Sequence, residues 1–288
     1  MRIAVIGLGL IGGSIAIDLK RSGFAKEVIG VDASLEHCKQ ALELAIVDRL
    51  EPLPVAVQDA DLVILAVPVG AMVSMLPGIL DLSMDGTTIT DMGSTKEQVS
   101  RAVENHPKRR NYVASHPMAG TENSGPQAAL EGLFMGKTAV ICDPDKSDPR
   151  HLKIVRDMYH ALGMRLIEMA ASEHDLKVAF VSHLSHLSSF ALANVVLDKE
   201  KNVNTIFDLA GGGFESTVRL AKSSPEMWLP IFDQNRENIL DALDGYIDHL
   251  YRFREGIAAL SGPESEEKQQ CLALMKNANQ IRRVLKKG

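Results

Sequence analysis

Apolar residues along the first part of the chain fall in short runs that alternate with segments of helical hydrophobic spacing. The run 62–67 is apolar at nearly every position, which is typical of a strand buried on both faces of a parallel sheet. The predicted strands are residues 3–6, 28–31, 62–67, 87–90, 112–115, 138–142 and 165–169. Strands and helices in this order predict an α/β domain over residues 1–171 with a doubly wound parallel sheet.

The pattern changes after residue 171, where apolar residues recur at helical spacing and no strand-like alternation follows. Ser172-Glu-His-Asp175 has the form of a capping box, so we expect a long helix to begin there and to reach about Leu197. The run Gly211-Gly212-Gly213 predicts a flexible loop. An all-helical domain is therefore expected over residues 172–288.

A long apolar stripe lies on the segment 225–259, which is predicted as helix and is followed by Gly262-Pro263. The stripe consists of Phe232, Ile239, Leu243, Tyr246, Leu250, Phe253 and Ile257. It is longer than one small domain normally covers, so we expect a second subunit to pack on it and the protein to be a homodimer.

The composition and charge of the chain limit the kinds of partner that we expect it to bind. The 288 residues are 45% hydrophobic, and the net charge is −6 with dispersed Lys and Arg, so two cores are expected and nucleic acid is not. The apolar stretch 3–17 ends at Asp18, too short for a membrane span, and lacks a signal-peptide cleavage site. Three dispersed cysteines without a C-x-x-C pair fit a cytoplasmic location.

The sequence Gly7-Leu-Gly9-Leu10-Ile11-Gly12 stands between the first strand and a segment compatible with a helix. Strand, glycine turn and helix in this order form the pyrophosphate site of a Rossmann-type domain, because the helix N-terminus attracts phosphate. Gly9 would allow the protein backbone to approach the pyrophosphate closely, and Gly12 would allow close packing of the helix. Glycines in an ordinary turn are the alternative.

Two further features bear on the cofactor. Asp32 ends the second strand, where a carboxylate can accept hydrogen bonds from both ribose hydroxyls and would repel a 2′-phosphate, so NAD is favoured over NADP. Val67 ends the run 62–67 and Pro68 follows it, at the edge where ligands of open parallel sheets bind, although a plain proline-terminated strand would read the same way.

Polar clusters follow two more predicted strands and should open onto the same crevice. One cluster contains Ser94, and the other contains His116 between flanking polar residues and glycines. A hydroxyl that orients an imidazole beside a nicotinamide would allow the imidazole to take a proton from a substrate alcohol as hydride leaves. A hydrogen-bonded loop histidine is the alternative for His116.

The predicted helix from residue 172 carries further histidines. His183 and His186 are three residues apart and so share a face, whereas His174 should point roughly the opposite way. No third ligand stands at a matching offset, so no metal site is expected, and His183 could instead be a core histidine. Arg219, downstream of the glycine run, could bind a carboxylate with two hydrogen bonds or could simply lie in solvent.

Taken together, these motifs resemble the prephenate/arogenate dehydrogenase family of tyrosine biosynthesis over essentially the whole chain. They are GLGLIGGS, DMGSTK, SHPMAGTENSG, SEHD, VSHLSH and GGGFESTVRLA, followed by SPEMW and QNRENIL. The resemblance implies an NAD-dependent oxidative decarboxylation of prephenate to 4-hydroxyphenylpyruvate. Arogenate, which would give tyrosine directly, is the alternative substrate.

The resemblance also implies roles for individual residues. His116 is expected to deprotonate the ring hydroxyl, with Ser94 bridging it and the nicotinamide region, and Arg219 is expected to clamp a substrate carboxylate. By the same resemblance His186 should contact the substrate side chain and Glu122 should order the pocket.

His174 is expected by the resemblance to lie in the hinge region rather than on the substrate. The chain departs from the family pattern at Ser185, where proline is frequent, and at Ser216, where an acidic residue is frequent, so the gate to the pocket is expected to differ. A β-hydroxyacid dehydrogenase is a weaker alternative, because its catalytic lysine would be matched only by Lys177 near the start of the helix. An NAD-sensing protein without chemistry would not need Ser94, His116 and Arg219.

Overall fold

The structure is a computed structural model that describes residues 1–203, 205–260 and 265–285. Its contacts divide the chain into two compact units, Met1–Arg236 and Glu237–Gly288. The first unit contains the whole sheet together with the helices up to residue 234. The domain boundary expected between residues 171 and 172 stays a prediction.

One sheet lies at the centre of the first unit. Its strands are β1 (Arg2–Ile6), β2 (Glu27–Val31), β3 (Arg49–Leu50), β4 (Leu62–Leu65), β5 (Thr88–Asp91), β6 (Tyr112–Pro117), β7 (Thr138–Cys142) and β8 (Arg165–Met169). Their order across the sheet is β3-β2-β1-β4-β5-β6-β7-β8. This order confirms the Rossmann-type α/β prediction.

The sheet is parallel from β3 to β6, but β7 is antiparallel to β6 and β8 runs parallel to β7. The expectation of a wholly parallel sheet is therefore wrong for the last two strands. Residues 118–137 make this reversal without a crossover helix, which only parallel neighbours need. The sequence also missed β3, because two residues are too short to show a periodicity.

The central strands are buried on both faces, as their apolar runs predicted. Ile3 and Val5 enter a hydrophobic cluster on one side of the sheet, while Ala4 and Ile6 enter a second cluster on the other side. The carboxyl ends of β1, β4, β5 and β6 form the edge at which ligands of open parallel sheets bind.

The helices of the described residues follow the strands and then continue alone. They are α1 (Leu10–Arg21), α2 (Leu35–Glu43), α3 (Leu53–Asp59), α4 (Val69–Leu82), α5 (Glu97–Arg101), α6 (Pro149–Ala161), α7 (Ala171–Val178), α8 (Leu184–Val203), α9 (Gly212–Val218), α10 (Pro225–Gln234), α11 (Arg236–Ala258), α12 (Glu266–Ala278) and α13 (Arg282–Leu285). The all-helical character after β8 is confirmed.

The helix expected to start with a capping box differs in two ways. It begins at Ala171 without a side-chain cap, and Asp143 Oδ1 accepts a hydrogen bond from the Ala171 amide. A π-helical turn, Ala179–His183, then separates α7 from α8. One extra residue in a turn rotates everything beyond it, so angular positions calculated for one regular helix do not hold across this turn.

Two further helical predictions need correction. The glycine run is not a flexible loop, because Gly211 is the N-cap of α9 and Gly212 and Gly213 form its first turn. The segment 225–259 is not one helix either, since Asn235 separates α10 from α11. Gly262-Pro263 lies outside the described residues.

Candidate active site

The glycine turn joins β1 to α1 and has the geometry that a pyrophosphate requires. Gly7 has a φ of 96°, and a Cβ on Gly12 would lie 1.9 Å from the Gly7 carbonyl oxygen, so only glycine fits at Gly12. A Cβ on Gly9 would meet nothing within 4 Å. Gly9 is also the N-cap of α1 and provides no side-chain cap, so the first amides of the helix, from Leu10 onward, remain available to an anion.

Asp32 stands beside this turn. Its Oδ2 accepts a hydrogen bond from the Leu8 amide at 2.8 Å, and its Oδ1 accepts one from the Ser34 amide at 2.8 Å. These bonds hold the carboxylate at the end of β2, next to the turn. His37 Nδ1 lies 3.4 Å from Oδ1. A carboxylate fixed in this place fits the ribose of a dinucleotide and disfavours a 2′-phosphate.

Val67 and Pro68 lie at the end of β4, against the same turn. A Cβ on Gly7 would approach the Val67 amide nitrogen to 3.0 Å, and Pro68 is the N-cap of α4. The sequence-predicted cofactor residues are therefore brought together at one edge of the sheet.

His116 lies at the end of β6 in a chain of three polar side chains. Its Nδ1 is 2.9 Å from Nε2 of His174, and Nδ1 of His174 is 2.7 Å from Oδ1 of Asp175. His174 and Asp175 are fully buried, whereas His116 is partly exposed. Nε2 of His116 has no hydrogen-bond partner among the described residues and is the nitrogen left for a substrate.

Asp175 also holds the start of α5. Its two carboxylate oxygens accept hydrogen bonds from the amides of Lys96 and Glu97, at 2.8 and 2.9 Å. The carboxylate is thus bound on one side to His174 and on the other to a helix N-terminus. This contact replaces the capping-box role that the sequence suggested for the segment around Asp175.

Burial controls the proton affinity of His116. Desolvation, reinforced by His174, Lys96 and His183, holds the pKa of His116 well below its ordinary value of 6.5. The imidazole is therefore neutral at pH 7, which is the form that can accept a proton from a substrate hydroxyl.

A buried polar network supports the strand that carries His116. Lys96 forms an ion pair with Asp91 and donates a hydrogen bond to the Ser115 carbonyl, at 2.8 Å. Asp91 also accepts hydrogen bonds from the Tyr112 hydroxyl and the Ser115 amide. Lys96 and Asp91 are completely buried, so the pair links the ends of β5 and β6 rigidly. The network fixes the backbone immediately before His116.

Ser94 lies half-buried in the loop between β5 and α5. Its backbone neighbours are tied down by this network, since Asp91 accepts a hydrogen bond from the Gly93 amide. No hydrogen bond joins Ser94 to His116 within the described part of the chain. A bridging role for Ser94 stays a prediction.

His183 and His186 share one face, as predicted, and both meet Trp228. His186 stacks on the indole at 3.8 Å between ring centroids, and His183 meets it edge-on at 5.7 Å. His183 is buried, and its Nδ1 lies 3.1 Å from Nδ2 of Asn235. Burial lowers the pKa of His183 to about 4. His183 is thus held as a neutral histidine inside the protein.

In a regular helix His174 would point away from the site, but in the structure it does not. It contacts His116, and its charge would act on both His116 and His183. The π-helical turn between His174 and His183 is the reason, because it changes the angular phase of the helix.

Arg219 and Glu122 form an ion pair at 3.0 Å, with the Arg219 side chain half exposed. The pKa of Glu122 is lowered by its own backbone amide and by Arg219. The short helical turn that carries Arg219 is held by Ser189, whose hydroxyl donates to the Thr217 carbonyl and accepts from the Ala221 amide. Two residues that were predicted separately for the substrate pocket are therefore in contact, and the Arg219 side chain is half exposed.

Within residues 1–203, 205–260 and 265–285, no group of three His, Cys, Asp or Glu side chains is placed to hold a metal ion. Sequence reasoning missed the contributions of Asp175, Lys96, Asn235 and Trp228. Trp228 and Asn235 belong to motifs that were recognised, SPEMW and QNRENIL, but no local pattern showed which atoms they would meet.

Two family comparisons cover nearly the whole chain. Residues 15–168 match the family described as "Prephenate dehydrogenase, nucleotide-binding domain", and residues 170–277 match "Prephenate dehydrogenase, dimerization domain". The prephenate dehydrogenase of Bacillus subtilis is 32% identical over 283 residues, which are 97% of this chain and 75% of that protein.

Solved structures agree with this comparison. A crystal structure of prephenate dehydrogenase from A. aeolicus, in complex with hydroxyphenyl propionate and NAD+, superposes with a TM-score of 0.86 at 30% identity, covering 99% of this chain and 98% of that one. Synechocystis arogenate dehydrogenase superposes with a TM-score of 0.73 at 28% identity, covering 100% of this chain and 99% of that one.

Proposed function

Because this chain belongs to the prephenate dehydrogenase family, we propose that it catalyses the NAD-dependent oxidative decarboxylation of prephenate to 4-hydroxyphenylpyruvate. The observation that carries the proposal is the neutral, hydrogen-bonded His116 at the same sheet edge as the dinucleotide turn. A proton acceptor at this edge of the sheet, where we expect the hydride acceptor to bind, supports an oxidation in which a proton and a hydride leave one C–OH group.

NAD is the proposed cofactor. The residues fit it, because the glycine turn leaves room at Gly9 and Asp32 is fixed beside the turn. The related A. aeolicus enzyme was crystallised with NAD+. When bound, NAD supplies the hydride acceptor. The amides of Leu10, Ile11 and Gly12 would hold the pyrophosphate, and Asp32 would accept hydrogen bonds from the ribose hydroxyls.

The remaining roles follow from placement. His116 takes the proton of the ring hydroxyl at Nε2, and Ser94, in the adjacent loop, orients the reacting groups. Arg219 binds a substrate carboxylate and holds Glu122 at the pocket in the absence of substrate. His186, held by stacking on Trp228, contacts the substrate side chain. Loss of CO2 then makes the ring aromatic, so the oxidation is driven forward.

Arogenate is the second candidate substrate, and one observation, the orientation of His186, supports it. Nδ1 of His186 donates a hydrogen bond to the Ser182 carbonyl, so the neutral ring has a lone pair at Nε2. Burial lowers the pKa of His186, which keeps the ring neutral. A lone pair suits the ammonium group of arogenate, whereas the keto group of prephenate offers it no donor.

Initial rates of NADH formation with prephenate and arogenate, each with NAD and NADP, test the proposal directly. We expect a higher kcat/KM for prephenate than for arogenate, and for NAD than for NADP. A higher kcat/KM for arogenate would make arogenate the preferred substrate, with Nε2 of His186 accepting a hydrogen bond from its ammonium group. Activity with neither compound at high enzyme concentration would refute the proposed function.

We further propose a cytoplasmic homodimer with a boundary between its domains at residues 171 and 172. The helical run Ala171–Lys201 is apolar enough to cross a membrane by length and composition, and only 11% of its most apolar window is buried within the chain. Val195 and Leu197 are 67% and 49% exposed. The match to a dimerization domain favours a second copy as the cover of this surface.

A further inference from the structure

We propose that His174 and Asp175 form a relay that fixes the tautomer of His116 and takes up the proton which His116 receives from substrate. Both are positioning residues, because neither needs to touch substrate. The proposal rests on the proposed function and adds to it the route of the proton. It stands on the two short contacts that connect the three side chains in a line, of which His174 and Asp175 are buried.

The direction of each hydrogen bond follows from the end of the line. Asp175 accepts from the Lys96 and Glu97 amides, and a carboxylate has no proton to donate, so the proton between Asp175 and His174 belongs to His174 Nδ1. In neutral His174, Nε2 is then an acceptor. His116 must therefore donate from Nδ1, which leaves the lone pair on Nε2 for the substrate.

The reverse arrangement is excluded by chemistry. If His174 donated from Nε2 to His116, a neutral His174 would present a lone pair at Nδ1 to the Asp175 carboxylate at 2.7 Å. Two acceptors at that distance repel each other. The relay therefore selects the one tautomer of His116 that can act as a base, as the carboxylate of a Ser-His-Asp triad does for its histidine.

The relay also moves the positive charge that His116 acquires during the reaction. When the substrate O–H bond breaks, a new N–H bond forms at Nε2 of His116, and the ring becomes cationic in surroundings that lower its pKa. Transfer of the Nδ1 proton from His116 to Nε2 of His174 makes His116 neutral again. The positive charge then lies on His174, in contact with Asp175. After aromatisation the same steps in reverse return the proton to the product oxygen.

The surroundings of His116 oppose a proton on it. Burial, His174, Lys96 and His183 all lower the pKa of His116. A proton at Nε2 of His116 removes the lone pair that the substrate hydroxyl needs, so the acid limb of kcat/KM reports His116.

His174→Gln separates the two parts of the relay. A glutamine amide can accept from His116 Nδ1 through its oxygen and donate to Asp175 through its nitrogen, but it cannot take up a proton. We expect kcat to fall about 10–100-fold, the range that is typical when a group behind a functional histidine is changed, because the tautomer is kept and only the uptake of the proton is lost. The acid limb should move to higher pH, because His174 is one of the groups that lower the pKa of His116. His174→Leu, which also releases the tautomer, should lower kcat further, by about 10²–10⁴-fold.

His151→Gln is the matched control. His151 is also buried, and it is hydrogen-bonded to Thr88 at 2.7 Å, at the amino end of β5 and not at the carboxyl ends where the site lies. The variant should leave the acid limb unchanged. Wild-type kcat and an unmoved acid limb in both His174 variants would overturn the relay. The relay would also be overturned if the only effect of the His174 substitutions were a higher KM for NAD.

Long-range nitrogen–proton NMR of histidine-labelled enzyme tests the relay without any activity. We expect Nδ1–H tautomers at both His116 and His174 in the wild type. His116 should keep that tautomer in His174→Gln and shift toward Nε2–H in His174→Leu. An Nε2–H tautomer of His116 in the wild type would refute the relay, whereas absence of turnover with both substrates would refute the proposed function alone.

Discussion

At the scale of single residues, His116 concentrates the chemistry, and His116→Asn tests it. Asparagine keeps a hydrogen-bonding group but cannot take a proton, so kcat should fall by about 10²–10⁴-fold. Steady-state kinetics measure this, and the Kd for NAD should be unchanged. His106→Asn, a change at a histidine that contacts Asp81, serves as the control and should keep full activity. A kcat within about threefold of the parent would transfer the assignment to His186.

The pH dependence belongs to the same residue. An ordinary histidine would lose its base function below about pH 6.5. The structure lowers the pKa of His116, so the base stays neutral to lower pH, and activity should disappear only as the pH falls through that lowered value. A pH profile of kcat/KM shows the difference. An acid limb at or above pH 6.5 would contradict this environment.

At the scale of elements, the turn between β1 and α1 gives a paired prediction. Gly9→Ala should fold normally but raise the Kd for NAD about tenfold or more, because its Cβ would enter the open space assigned to pyrophosphate. Gly12→Ala should instead lower the free energy of unfolding by about 1–3 kcal/mol, since its Cβ would collide with the Gly7 carbonyl. Urea unfolding and NAD titration separate the two effects.

Gly78→Ala in α4 is the control for this pair, because a Cβ there meets nothing within 4 Å. It should leave the Kd for NAD unchanged. Unaltered NAD binding in Gly9→Ala would show that the open space is not where the pyrophosphate binds.

The helical elements show where local reasoning reaches its limit. The spacing of His183 and His186 correctly placed both rings on one face, which Trp228 covers. The same reasoning failed for His174, because the π-helical turn Ala179–His183 lies between it and His183. Periodicity holds within a regular helix, and a single inserted residue is enough to end its validity.

At the scale of the whole molecule, the prediction is a dimer. Light scattering should give twice the chain mass of 31.3 kDa at micromolar concentration. Val195→Glu, on the exposed face of α8, should weaken the dimer, because a charge buried without a partner is costly. Val55→Glu, at an exposed apolar residue of α3, is the matched control and should stay dimeric. A mass of 31.3 kDa for the wild-type protein would refute the proposed dimer.

The sequence by itself determined the features that adjacent residues encode. Apolar runs marked seven strands, the glycines between β1 and α1 located the nucleotide turn, and Asp32 and His116 were placed at strand ends. Each of these depends on a strand, a turn or a helix start, where the chemical reason lies within a few positions of the chain. The family motifs added the prediction that Arg219 and Glu122 belong to the substrate pocket, and the two side chains are in contact in the structure.

Tertiary structure alone decided the partners across the fold. The reversal of β7 against β6 depends on how residues 118–137 close, and no periodicity expresses it. His174 meets His116 across 58 positions of sequence, and Asp175 reaches the Lys96 amide across 79. Such contacts arise because burial leaves each polar group only the partners that packing brings near it. The sequence therefore predicted the base, and the contact between α7 and the end of β6 decided which of its nitrogens faces His174.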